Sequence, residues 1–224
     1  MDRFRALFYL VILMLFASCD REVEVPTFEQ GYDFQPLLVG STWTYSVDET
    51  IYFGENDSED SSYFLRDHIR TIYVNDAREQ VFVLARYRSP DQESWEFDQE
   101  YTLLVREDKL IRTVNNQPEV VLDFPLIEGK KWDGNLFRNA NSDEYELQVI
   151  SSSESDAQVK ILQEESDDEI TFRDNRYEVF QKGVGLVEKY AEVLTYCSRN
   201  DCLGEQLIDS GSKLHMNLLS YERQ

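Results

Sequence analysis

Trp43-Thr44-Tyr45-Ser46-Val47-Asp48 alternates large apolar side chains with small or charged ones. A period of two marks a strand with one buried face, because successive side chains leave a strand on opposite sides. The alternation recurs. Val81, Val83, Ala85 and Tyr87 share one face of a second expected strand, and Trp95, Phe97, Tyr101, Leu103 and Val105 fit a third with acids opposite. Tyr145, Leu147 and Val149 continue the series, then Ile170 and Phe172, then Tyr177 and Val179. Between the runs lie Asn75-Asp76, Ser89-Pro90-Asp91, Asn115-Asn116 and Asp174-Asn175, residue types that accept turn geometry. Strands joined by such short turns must be mostly antiparallel, since parallel neighbours need a crossover of a dozen or more residues. No long amphipathic helix competes, and Cys202 to Ile208 has room for one short turn. The expected fold is all-β, a mainly antiparallel meander forming a barrel or a two-layer sandwich.

An internal repeat adds shape. Pro36-Leu37-Leu38-Val39-Gly40-Ser41-Thr42-Trp43 matches Pro125-Leu126-Ile127-Glu128-Gly129-Lys130-Lys131-Trp132, with Phe34 and Phe124 ahead of the two copies. Proline fixes the entry, the leucines plug the core, glycine permits a sharp turn and tryptophan opens the next strand. One reading makes the copies corner motifs that each close one end of a sheet. The sharper one lines a binding mouth with Trp43 and Trp132.

The 224 residues carry 22 Lys plus Arg against 44 Asp plus Glu, a formal charge of -22 at pH 7. With 13 Tyr, 13 Phe and 3 Trp the chain has the large apolar side chains that disordered acidic sequences lack. A duplex nucleic-acid partner is excluded on charge, because phosphate binding needs clustered bases. Broad electrostatic adhesion to anionic lipid is disfavoured for the same reason.

The N-terminus reads as an address. Arg3 and Arg5 precede Ala6 to Ala17, an uncharged apolar run too short to span a bilayer, which needs about 20 apolar residues. Phe16-Ala17-Ser18-Cys19 resembles the bacterial lipobox, with Phe16 where Leu is usual. The resemblance implies a lipoprotein signal peptide over residues 1–18 and acylation of Cys19. Loss of Arg3, Arg5 and Asp2 with the leader moves the side-chain net charge from -22 to -23. Acidic residues 19–33, interrupted by Pro26, read as a tether, and residues 34–224 as a single β domain. Asp20, Glu22 and Glu24 are similar to the export signals of Bacteroidota surface lipoproteins, whereas Asp beside the cysteine resembles an inner-membrane retention signal in enteric bacteria. The leaflet stays open, with the outer membrane or cell surface favoured.

Cys197 and Cys202 flank Ser198-Arg199-Asn200-Asp201, and in an oxidising envelope two cysteines across such a turn form a local disulfide. No further ligand sits nearby for a metal. His68 and His215 alternate with core positions and are expected to face solvent or a neighbouring acid. The acidic runs Glu55 to Asp60 and Glu164 to Glu169 lack the EF-hand spacing and read as solvated turns.

Lipobox, acidic tether, the paired Pro-Leu-x-x-Gly-x-x-Trp motifs, Gly183-Val184-Gly185-Leu186-Val187 and Leu218-Leu219-Ser220-Tyr221 occur in that order. Together they resemble a family of uncharacterised β-rich Bacteroidota lipoproteins. That resemblance covers most of the chain and supplies no catalytic residues to carry over. The Gly-x-Gly lacks the third glycine and βαβ setting of a dinucleotide site, and is similar to a strand-start motif of that family. No His-Glu-x-x-His, Gly-x-Ser-x-Gly or Walker sequence is present, so no catalytic residue, metal ligand or cofactor is expected. The leading function is a non-enzymatic cell-envelope lipoprotein, held to the membrane by its lipid and binding an envelope protein, lipid or glycan through its β scaffold. The alternative is an envelope hydrolase whose carboxylates converge only in three dimensions.

Overall fold

The computed structural model describes residues 31–223 except 56, 154 and 155, so the expected signal peptide, Cys19 and most of the expected tether lie outside the described residues. A 3-10 turn at Tyr32–Phe34 leads into twelve strands. The first six are β1 (Thr42–Gly54), β2 (Asp57–Val74), β3 (Gln80–Ser89), β4 (Glu96–Arg106), β5 (Lys109–Val114) and β6 (Gln117–Asp123). The others are β7 (Lys131–Asp133), β8 (Glu144–Ser151), β9 (Gln158–Asp167), β10 (Phe172–Gln181), β11 (Gly185–Tyr196) and β12 (Ile208–Glu222). Within β1–β6 and within β7–β12 each strand pairs antiparallel with its sequence neighbours, and β1 pairs with β12, giving the order β6-β5-β4-β3-β2-β1-β12-β11-β10-β9-β8-β7.

The two outer strands of that sheet meet. The Val120 N–H donates to the Gly134 carbonyl at 2.9 Å, and the Trp132 indole N–H donates to the Val120 carbonyl at 2.9 Å. The sheet is therefore a nearly closed barrel, and its edges β6 and β7 are covered where an open edge would invite pairing with another chain.

Two six-stranded meanders build the barrel, and each opens with one copy of the repeat. In the first, the Gly40 N–H donates to Ile69 C=O (2.9 Å), the Ser41 N–H to Leu38 C=O (3.1 Å), and the Ile69 N–H to Ser41 C=O (3.0 Å). In the second, the Gly129 N–H donates to Leu147 C=O (2.8 Å), the Lys130 N–H to Ile127 C=O (3.0 Å), and the Leu147 N–H to Lys130 C=O (2.9 Å). The corner makes the same set of bonds in both copies, with positive φ at Gly40 (95°) and Gly129 (74°). The repeat is a tight corner that feeds each meander into the wall.

Alternation of the turns gives the barrel two ends. Residues 31–41 lie at the entry end with the turns at 75–79, 107–108, 124–130 and 182–184 and the start of β9. The end of β1 and the turns at 90–95, 115–116, 134–143, 168–171 and 197–207 form the far end. An apolar plug of Phe34, Leu110, Leu122, Phe124, Val159, Phe180 and Leu186 fills the entry end. Cys197 and Cys202 are joined as a disulfide within the far-end loop before β12.

Several local readings change. Residues 31–33 belong to the folded unit, not to the tether: the Gly183 N–H donates to Asp33 C=O at 2.8 Å, and the Tyr32 hydroxyl to Asp108 at 2.5 Å. Asp174-Asn175 lies inside β10. The turn is instead at 168–171, where the Asp168 carboxylate accepts the N–H groups of Ile170, Thr171 and Phe172. Phe97 is 60% exposed because a register shift between Arg86 and Tyr87 opposite β4 turns it away from the face of Tyr101 and Leu103.

At Gly129 an added Cβ would meet nothing within 4 Å, so only backbone strain opposes a side chain there. Gly129→Ala is expected to cost about 1–2 kcal/mol, the price of a non-glycine residue in the left-handed region, and Gly129→Asn less, as read by thermal unfolding.

Candidate functional site

Cross-strand partners share a face, and the register Trp43↔Asp67↔Arg86↔Gln99 points two charged side chains into the barrel beside a tryptophan. Leu84↔Tyr101 lies on the same face. The inward face of β3 is thus Leu84 and Arg86, not the Val81-Val83-Ala85-Tyr87 set that its hydrophobicity suggests. On β5, Arg112 pairs across with Leu103 and with Glu119 of β6, and on β10 Glu178 pairs with Lys189 of β11.

These residues form an ionic layer across the middle of the lumen. Arg86 grips Asp67 through Nε and Nη2, both at 2.7 Å, and the Tyr101 hydroxyl donates to the same carboxylate at 2.9 Å. Arg112 spans the barrel, donating from Nη1 and Nη2 to Glu178 at 3.1 and 2.8 Å and from Nη2 to Glu119 at 2.9 Å. Lys189 Nζ donates to Glu178 at 2.9 Å, while the Tyr145 hydroxyl and Gln163 amide donate to Glu119 at 2.8 and 3.3 Å.

Burial alone would raise the carboxyl of Glu178. The charges of Arg112 and Lys189 and their hydrogen bonds overcome it, and hold the group down at about 2. Glu119 is lowered as well, with Arg112 outweighing burial and the repulsion of Glu178. Both are carboxylates at neutral pH, the opposite of the raised carboxyl that a glycosidase general acid requires. Burial also pushes up the hydroxyl of Tyr101, aided by Asp67, so it stays a donor.

The layer separates two spaces. On the entry side a cavity of about 30 Å³, the size of a water, is lined by Gln35, Trp43, Asp67, Arg86 and Arg112 among others. On the far side lies a cavity of about 320 Å³. Its polar lining is Arg86, Gln99, Tyr101, Arg112, Glu119 and Lys189, and its apolar wall is Leu65, Val114, Leu186, Leu214 and Met216. Gln99, Val114, Lys189 and Leu214 are half-buried and form its outer part.

Trp43 and Trp132, the residues placed at a binding mouth by the sequence, are 2% and 7% exposed. Both rings belong to the core, because each indole N–H is bonded to a backbone carbonyl, of Val184 at 2.6 Å and of Val120 at 2.9 Å. Trp43 also stacks on Tyr221 at 5.1 Å. The Gly183-Val184-Gly185 turn is the socket of this corner. Gly185 lies so close to Gln35 and Trp43 that an added Cβ would approach them to 3.1–3.2 Å. Cys197 and Cys202 come together as expected. On the outer face His68 Nδ1 lies 2.9 Å from Thr42 Oγ1, and His215 Nε2 lies 2.9 Å from Glu188. Among the described residues no three His, Cys, Asp or Glu side chains converge as a metal would need.

The depressed Glu178 favours the folded state wherever it is ionised. Its contribution is complete above pH 4.5, its ordinary value, and fades as pH falls towards about 2. Glu178→Gln is therefore expected to flatten the loss of melting temperature over that acid range, relative to the parent protein.

Neither a protein-family model nor a curated protein matches the sequence. Among solved structures, a Bacteroides fragilis protein named as exported and as having a YmcC-like fold superposes with a TM-score of 0.43 at 11% identity, covering 85% of this chain and 99% of that one. A Parabacteroides distasonis protein named as a lipoprotein gives 0.40 at 11% identity, covering 84% and 98%. Likenesses this low bear on neither kinship nor activity.

Proposed function

We propose that the chain is a cell-envelope lipoprotein, acylated at Cys19, whose barrel binds a small ligand in the lumen at its far end. The observation that carries the binding reading is the cavity of about 320 Å³ above the ionic layer, within the range of small-molecule pockets. A barrel interior made only for stability would bury apolar side chains there, since replacing buried ion pairs by well-packed hydrophobic residues is often neutral or stabilising. Inward charges around a cavity fit a binding role. The described chain begins at Gly31, at the plugged end, and the cavity lies towards the other end. Acyl chains on one cysteine, each contributing about 0.8 kcal/mol per buried methylene, make such an anchor stable without a spanning segment. The outer membrane or cell surface, signalled by the acids after Cys19, is the proposed address.

Two outcomes are expected. In cells fed an alkyne fatty acid the parent protein takes up label and Cys19→Ser does not; label persisting in the variant would refute the anchor. Native mass spectrometry of protein taken from its own membrane should show a small-molecule adduct that is lost in Leu214→Trp, a change that fills the cavity. A bare mass from the folded parent protein would refute lumen binding.

A further inference from the structure

The cations and anions of the ionic layer are not equally placed. Side chains of Arg86, Arg112 and Lys189 are 19%, 13% and 33% exposed, whereas Asp67 and Glu178 are 3% and 1% exposed. All three bases line the cavity, while of the acids only Glu119 does. The two deepest carboxylates thus sit behind the bases, neutralising them from below, and the wall offered to a ligand is mainly a donor surface. Donor capacity remains on it. Arg86 Nη1 and Arg112 Nε make no hydrogen bond to the described residues, and Lys189 Nζ makes one of the three available to it.

Towards the far rim the inward face mixes apolar with polar and charged residues. Val47↔Met216↔Lys189↔Glu178 is one inward row across β1, β12, β11 and β10. Two residues on, the row is Glu49↔Leu214↔Ala191↔Arg176, and two further it is Ile51↔Ser212↔Val193↔Asp174. Ile51 and Val193 are 38% and 43% exposed on this inward face, and Phe172, in the following row, is 41% exposed. Val193 is four residue steps along the strand from Lys189, roughly 13 Å.

We propose that the lumen takes a single-tailed amphiphile. Its anionic head, a carboxylate or phosphate monoester, lies against Arg86, Arg112 and Lys189, and its acyl tail runs past Leu214 to Ile51 and Val193. This rests on the lumen-binding reading and adds the ligand's class and direction. The head gains charge-assisted hydrogen bonds from donors already held in place by Asp67 and Glu178, so little ordering is required on binding. The tail covers apolar side chains that the barrel leaves in water.

The test uses the full chain in phospholipid nanodiscs and a decanoic acid carrying a diazirine at its chain end. After irradiation, cross-links mapped by mass spectrometry are expected on Ile51, Val193 and Leu214. Decanoate and decyl phosphate should compete and methyl decanoate should not, and whichever acid competes at lower concentration identifies the head. Lys189→Met should raise the decanoate needed for half competition about tenfold, the loss of one charge-assisted hydrogen bond. Leu214→Trp should abolish lumen labelling, with near-ultraviolet circular dichroism checking that both variants are folded. Lumen labelling equally displaced by the methyl ester, or competition unchanged by Lys189→Met, would overturn the anionic head and leave lumen binding standing. Labelling confined to the outer wall of the folded parent protein would overturn both.

Discussion

Arg112 reaches from β5 across the lumen to Glu178 on β10, and the interior is arranged around that contact. An eight-stranded barrel is just wide enough for side chains to fill, so twelve strands enclose more width than aliphatic residues on opposite walls can bridge. Large rings close the gap at the entry end. In the middle a guanidinium does so, the one side chain able to span the distance while forking to two carboxylates. Once it is there, Glu119 and Glu178 must be close, Lys189 and Tyr145 must satisfy them, and the space beyond cannot be packed as a core. Removing one partner of such a set leaves a buried charge uncompensated, typically at about 3–5 kcal/mol, so the layer is held by the cost of breaking it more than by its net stabilisation.

The fold class was legible because β1 obeys the simplest rule: Trp43, Tyr45 and Val47 are all in the core. The candidate site was not, because it violates that rule. Arg86 occupies an inward position of a strand whose outward residues Val83 and Ala85 are also buried, so hydrophobic periodicity selects the wrong face. Leu110-x-Arg112-x-Val114 carried the available signal, a base between two inward apolar positions, but the many charged residues of the chain conceal it. Bulges did the remaining damage. Each inserted residue reverses the parity of one strand relative to its neighbour, which is why Phe97 leaves the face of Tyr101.

The repeat was visible as eight residues and turned out to be a hydrogen-bonding scheme. Gly40 and Gly129 each bond to a strand of their own meander, at Ile69 and Leu147, and the tryptophan three residues later enters the core. The tryptophans then diverge. Trp132 stitches β7 to β6 across the narrow closure, whereas Trp43 reaches the turn before β11 and stacks on β12. One corner design thus serves a seam with a single backbone bond across it and another zipped along a full strand.

That zipped seam has a kinetic side. β1 and β12 pair residues from opposite ends of the chain, such as Ser46 and Asn217, 171 positions apart. All twelve strands belong to local hairpins, but the two meanders are joined only when β12 is present. Closing so long a loop makes for slow assembly, and until then β1 offers an unpaired, apolar edge. A chain emerging N-terminus first therefore waits as a half-built sheet. Its folding is timed by the synthesis of β12, and until that strand arrives the barrel stays an open sheet.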